Sequence, residues 1–203
     1  MFMNLKIKLA AVRVIIKRLG VKSLSSIGLE LSKSKKKGKP YDGLSAASSK
    51  KDKDSRALIA EAIVLYDILK QQMDQAKAEQ IVREVITAAA IAQLSCLIPT
   101  LKSEKLAKLS KEERQKLFCG IVEKFPNTDW ILIKSEDNEY EFHMTRCRLC
   151  EIFIEVGIPE LKNSCCAGDA LYFERFQKGI EFNRNKMIGE NDEYCLFNFK
   201  LKN

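Results

Sequence analysis

Apolar side chains recur every three to four residues through most of the first 125 positions, and every second residue after Pro126. That change of period predicts helices followed by strands. In "LKIKLAAVRVIIKRLG", Leu5, Leu9, Val12 and Ile16 fall at steps of four, three and four, with Lys6, Arg13 and Lys17 on other faces. This is the pattern of an amphipathic basic helix. From Ser32 to Ser55 large apolar groups nearly vanish while Lys, Ser and Gly accumulate, so that stretch is predicted to be a flexible linker or loop.

Helices return after it. Ser55 is placed to cap a helix whose stripe is Leu58, Ala62, Leu65 and Leu69, and Asp74 to cap a second that runs to Ile98. Ser110 and Glu113 form a capping-box pair ahead of Leu117, Ile121 and Phe125. Beyond Pro126, "DWILIKS" and "EYEFHMTRC" alternate as strands around "EDN", and "GIEFNRNKMI" and "EYCLFNFKL" do so around "GEND". The segment from Cys147 to Phe176 between these hairpins reads as helical. The expected fold is therefore α+β: a helical N-terminal half followed by an antiparallel β-sheet whose hairpins flank a helical segment. Residues 1–56 are expected to form a basic helix plus linker, and 57–203 a single α+β domain.

Charge sharpens that division. Residues 1–56 carry fifteen Lys and Arg against four Asp and Glu, whereas 57–203 carry twenty against twenty-three. The net charge of +8 thus belongs to the first quarter. Such an arm suits an anionic membrane surface; alternatively its helix docks on its own domain or on a second subunit. The lysine run has no interleaved aromatics to stack bases and no nucleic-acid reading motif, which argues against nucleic acid. The apolar run "VITAAAIAQLSCLI" has 14 residues and ends at Pro99, shorter than the roughly 20 a spanning helix needs, so it is expected to be a buried helix. With no secretory signal in view, the expected location is cytoplasmic, peripheral to the membrane if the arm binds lipid, with the seven cysteines as thiols.

Four of those cysteines lie in "CRLCEIFIEVGIPELKNSCCAGD". Cys166 and Asp169 are three apart, which puts both on one face if a helix runs through them. Strand alternation places Arg184 in line with Ile180 and Phe182, and Cys195 in line with Phe197 and Phe199. A guanidinium on an apolar face needs a partner, either Asp169 or a glutamate, or the carboxylate of a small-molecule substrate. Cys147 with Cys150, then Cys165 or Cys166, then Cys195, could instead ligate a metal, although closed sites favour two CxxC pairs. Cys150 and Cys165 are otherwise expected to pack in the core. His143, the only histidine, shares a strand face with Glu141 and Thr145. No glycine-rich phosphate loop and no histidine cluster is present, so no cofactor is expected.

Taken together, "FHMTRCRLCEIFIEVGIPEL", "CCAGDALYFERF" and "GIEFNRNKMIGENDEYCLFNF", in that order, resemble the C-terminal half of the L-2-amino-thiazoline-4-carboxylic acid hydrolase family over about residues 140 to 201. The resemblance rests on Thr145, Arg146 and Cys147, then Phe153, Gly157, Cys166, Asp169, Arg184, Gly189, and Cys195 with Phe197. The chain departs from the family pattern at Lys186 and Met187, and at Leu196 and Asn198, near the presumed site. The resemblance implies hydrolytic opening of a small cyclic amidine to an N-carbamoyl amino acid. It implies catalytic roles for Cys147, Cys166 and Asp169, and substrate binding by Arg184 and Cys195. The alternatives are a non-catalytic ligand- or thiol-sensing module of the same fold, tethered to an anionic surface, or a cysteine-ligated metal protein. An enzyme should show a water-accessible pocket joining Cys147, Cys166, Asp169 and Arg184, whereas a packed scaffold should fill that space. The oligomeric state is left open.

Overall fold

The structure, a computed structural model, describes residues 2–36, 40–125 and 127–202. Pro126 and the Lys37 to Lys39 part of the expected linker lie outside the described residues. Helices α1 (Phe2–Lys36), α2 (Lys50–Lys70), α3 (Gln75–Leu97), α4 (Ser103–Leu106) and α5 (Lys111–Val122) come first. Strands β1 (Thr128–Ser135) and β2 (Glu139–Cys147), helices α6 (Arg148–Glu155) and α7 (Ser164–Phe176), and strands β3 (Ile180–Asn183) and β4 (Cys195–Leu201) follow. The fold class is α+β, as the change of period predicts.

Capping chemistry sets the helix starts. Asp74 accepts from the amides of Ala76 and Lys77 at the head of α3, and the Ser110–Glu113 capping box opens α5. The start of α2 differs from expectation. It begins at Lys50 with Ser49 as its cap, and Ser55 lies inside it, donating its hydroxyl to the Lys51 carbonyl at 2.8 Å. The cap is local, since Ser49 accepts from the Asp52 amide at 3.1 Å and the Asp52 carboxylate accepts from the Ser48 amide; that carboxylate also accepts from Arg148 Nε at 2.8 Å, across 96 positions of sequence. Local composition carries no trace of that bond.

In α3 the alanine-rich run is part of a 23-residue helix, long and apolar enough by composition to span a bilayer. Here it is the central helix of the fold, with α1, α2 and α7 packed around it. Helix α1 is kinked at Gly20, whose φ of 81° suits a residue without a side chain. The face that α1 buries holds Ala11, Val14, Ile15 and Leu19, and its Arg18 Nε donates to Glu84 on α3 at 2.6 Å. Of the stripe picked out by periodicity, Leu5, Leu9 and Ile16 are exposed and Val12 is half-buried. Both faces of this helix are apolar, so spacing alone could not say which one packs.

The four strands pair antiparallel in the order β1-β2-β4-β3. Phe142 faces Phe197, and Tyr140 and Phe182 both face Phe199, so one side of the sheet is aromatic. Phe118 of α5 and Phe173 of α7 close over it, with ring centroids 5.2 and 5.3 Å from Phe199. This core and a second one between α1, α2, α3 and α6 meet along α3. The candidate site lies where they meet.

Candidate active site

Cys147 ends β2 and caps the N-terminus of α6. The turn is held by Asn127, whose carbonyl accepts from the Arg148 amide at 2.7 Å and whose side-chain amide donates to Cys147 Sγ at 3.5 Å. A helix N-terminus presents unpaired N–H groups and favours negative charge. The neighbouring Cys150 thiol lowers the Cys147 pKa most. Burial works against it, while the amides of Cys150 and Leu149 and the Asn127 side chain add to the lowering. The net result is a thiol below its ordinary range, and Cys150 is pushed up in turn.

Helix α7 runs through both Cys166 and Asp169, as the spacing requires. Arg184 follows β3 by one residue and keeps the strand's inward alternation, so that its side chain is only 6% exposed. Its Nη1 donates to Asp169 Oδ2 at 2.7 Å and reaches the Cys166 carbonyl at 3.4 Å. Its guanidinium also lies over the Phe197 ring, 4.7 Å from the centroid. Arg184 Nε is buried and has no hydrogen-bond partner. Burial works against the Arg184 charge, but Asp169, Cys166 and Cys195 overcome it and hold the guanidinium above its usual value. Burial also pushes the Asp169 carboxyl up, only partly offset by Arg184. Cys166 is raised by burial to about 12, and Cys195 is raised by the same cause. Cys195 Sγ accepts from the Ile188 amide at 3.2 Å.

A cavity of about 170 Å³ joins Cys147, Cys166, Asp169, Arg184 and Cys195 in one wall. Opposite them stand Ile59 and Ala62 of α2, Val85, Ile86 and Ala90 of α3, and Ile7, Lys8 and Ala11 of α1. Cys165, expected only to pack, also faces this space, whereas Cys150 is buried with its thiol on the Lys162 carbonyl at 3.1 Å. His143 stays outside, hydrogen-bonded to Glu141 at 2.9 Å and stacked on Tyr194 at 3.7 Å. Lys186, Met187, Leu196 and Asn198 do not line the cavity. Alternation turns Leu196 and Asn198 to the other side of β4, where the Asn198 amide donates to Glu139 at 2.8 Å and to Glu141 at 3.2 Å. The departures from the family pattern therefore sit away from the chemistry, not beside it.

Sequence reasoning missed Asn127 and the α1, α2 and α3 walls. It also missed a charged cluster in which Arg148, beside Cys147, meets Asp52, Glu151 and Glu155. Beside the family resemblance, the local signal for Cys147 is its position at the head of α6, a strand-to-helix junction legible from the change in period. Among the described residues no three His, Cys, Asp or Glu side chains are grouped as a metal ion would require.

An apolar cavity in this α+β scaffold thus brings several thiols together with a buried Arg–Asp pair. The sequence profile of the L-2-amino-thiazoline-4-carboxylic acid hydrolase family matches residues 53–199, and the chain belongs to that family. Comparison with curated proteins returns no match. The family match includes every cavity side chain named above except those of α1.

Proposed function

We propose that this cavity hydrolyses a small cyclic amidine carrying a carboxylate, of the 2-amino-thiazoline-4-carboxylate type, to an N-carbamoyl amino acid. One observation carries the reading. A thiol of lowered pKa and a buried guanidinium line the same apolar cavity. Arg184 binds the substrate carboxylate through the part of its guanidinium that lines the cavity. The Cys147 thiolate attacks the carbon between the ring sulfur and nitrogen, forming a C–S bond to the enzyme. The tetrahedral adduct collapses by breaking the ring C–S bond, and the released sulfur takes up a proton. Water, positioned by Asp169, then adds to the enzyme-bound isothiourea carbon. The C–S bond to Cys147 breaks, returning the thiolate and leaving the urea group of the product. Cys166 and Cys195, held as neutral thiols, form the walls around the reacting carbon.

The test is incubation of the full chain with 2-amino-thiazoline-4-carboxylate, following the carbamoyl product by mass spectrometry and ligand binding by thermal shift. Turnover in the parent, lost by about a hundredfold or more in Cys147→Ala, is the expected result. Neither turnover nor a ligand-dependent shift in the parent would overturn the substrate assignment. Undiminished turnover in Cys147→Ala would remove the nucleophile.

A further inference from the structure

We propose that the outward face of α1 docks on an anionic phospholipid bilayer. Of the eleven large apolar side chains exposed among the described residues, six are on this helix: Met3, Leu5, Leu9, Ile16, Val21 and Leu29. Exposed apolar groups scattered singly need no explanation, but a contiguous row does. Leu5, Leu9 and Ile16, joined by the half-buried Val12, form such a row over about 17 Å of helix, at 1.5 Å per residue. The opposite face of the same helix is already used, since Ile15 is 5% exposed and packs in the α1–α3 core.

Charge decides what can cover the row. On a helical wheel Arg13 and Lys17 flank it on one side, with Lys6 beside them donating to Ser95 of α3 at 2.8 Å, and Lys8 lies on the other; no acidic residue precedes Glu30. A second copy laid face to face would set these cations against their own kind. A bilayer rich in anionic headgroups places negative charge at the depth where those ammonium and guanidinium groups end, with acyl chains below for the leucines. The same helix supplies Ile7, Lys8 and Ala11 to the cavity, so docking would hold the cavity wall next to the lipid surface.

The full chain is to be sedimented with vesicles of phosphatidylcholine, with and without phosphatidylglycerol, across a salt series. Two variants accompany it: Leu5→Ser/Leu9→Ser/Ile16→Ser and Arg13→Glu/Lys17→Glu, both confined to outward positions and checked by thermal melting. The expected result is binding that needs phosphatidylglycerol, weakens with salt, and falls by about tenfold or more in each variant while melting is unchanged. Absence of binding to anionic vesicles, or equal binding by both variants, would overturn the proposal. So would a parent dimer in solution that the triple serine variant dissociates, because the row would then be covered by a second copy.

Discussion

Replacing Asp169 by asparagine keeps the shape of the side chain and removes only its charge. The Arg184 guanidinium left behind is 6% exposed, and its counter-ion position is 14% exposed, so bulk solvent compensates the lost interaction only weakly. No other strong partner is in place: the Cys166 carbonyl lies at 3.4 Å, and Nε is already unpartnered. Removing one member of a buried ion pair costs about 3–5 kcal/mol. The asparagine side chain would retain one acceptor oxygen, which sets Asp169→Asn near the lower bound and Asp169→Ala near the upper. Against a total stability of about 5–15 kcal/mol this is a large fraction. For a chain of this length it corresponds to a fall in Tm of roughly 6–20 °C. Urea denaturation can be followed by Trp130, the single tryptophan, which packs edge-on to Phe142 at 5.6 Å. The control is Asp169→Leu/Arg184→Met. Replacing both charges with apolar groups should return stability to within about 2 kcal/mol of the parent. A loss below about 1 kcal/mol in Asp169→Asn, the range of solvated pairs, would refute the picture of a desolvated ion pair facing the cavity.

Alkylation by iodoacetamide, mapped by mass spectrometry over a pH series, should modify folded Cys147 with a midpoint below the ordinary thiol value of about 8.5. The same residue in the urea-unfolded chain should titrate normally, and identical midpoints in both states would contradict the α6-terminus account. For Asp52, burial works against the charge, yet Arg148, the Ser48 amide and Arg56 hold its carboxyl down at about 2, against an ordinary 3.8. Because the folded value lies below the unfolded one, this stabilisation is complete above about 4 and is lost as pH falls towards 2. Asp52→Asn should therefore be less stable than the parent at neutral pH and lose less on acidification, as read by urea midpoints at several pH values. A Cβ added at Gly168 would lie 2.5 Å from Ala90 Cβ, where α7 crosses α3. Gly168→Ala should cost about 1–3 kcal/mol despite the better helix propensity of alanine, and Ala90→Gly should relieve it; a stabilised Gly168→Ala would show that the helices part freely.

Local rules were enough for much of this molecule. Asp74 and the Ser110–Glu113 pair open their helices where capping preferences put them, and the hairpin around "EDN" pairs antiparallel; β3 and β4 also pair antiparallel, although β3 stops at Asn183, so residues 184–194 form the connection rather than "GEND" alone. The i, i+3 spacing put Cys166 and Asp169 on one helix face, and alternation turned Arg184 inward, so their meeting needed only that α7 contact β3. What local rules could not supply depended on distant partners. The bond from Arg148 to the buried Asp52, across 96 positions, is one such case. The inward face of α1 is chosen by α3, which offers Glu84 to Arg18, and not by the stripe of Leu5, Leu9 and Ile16. The lowered thiol at Cys147 arises from Cys150, Asn127 and the α6 amides acting together, although the sequence presents it as one cysteine among four.

The cavity is built by two stretches of chain with different tasks. The thiols, the acid and the arginine come from β2, α7, the end of β3 and β4, all inside the family match, while Ile7, Lys8 and Ala11 come from α1, outside it. Shape and charge at that wall can change without disturbing any group that reacts. For the proposed hydrolysis, exchanging α1 is thus a route to a changed substrate preference with the proposed reacting groups kept in place. Conversely, a fragment cut at the family boundary would keep the reactive groups while opening their chamber to solvent.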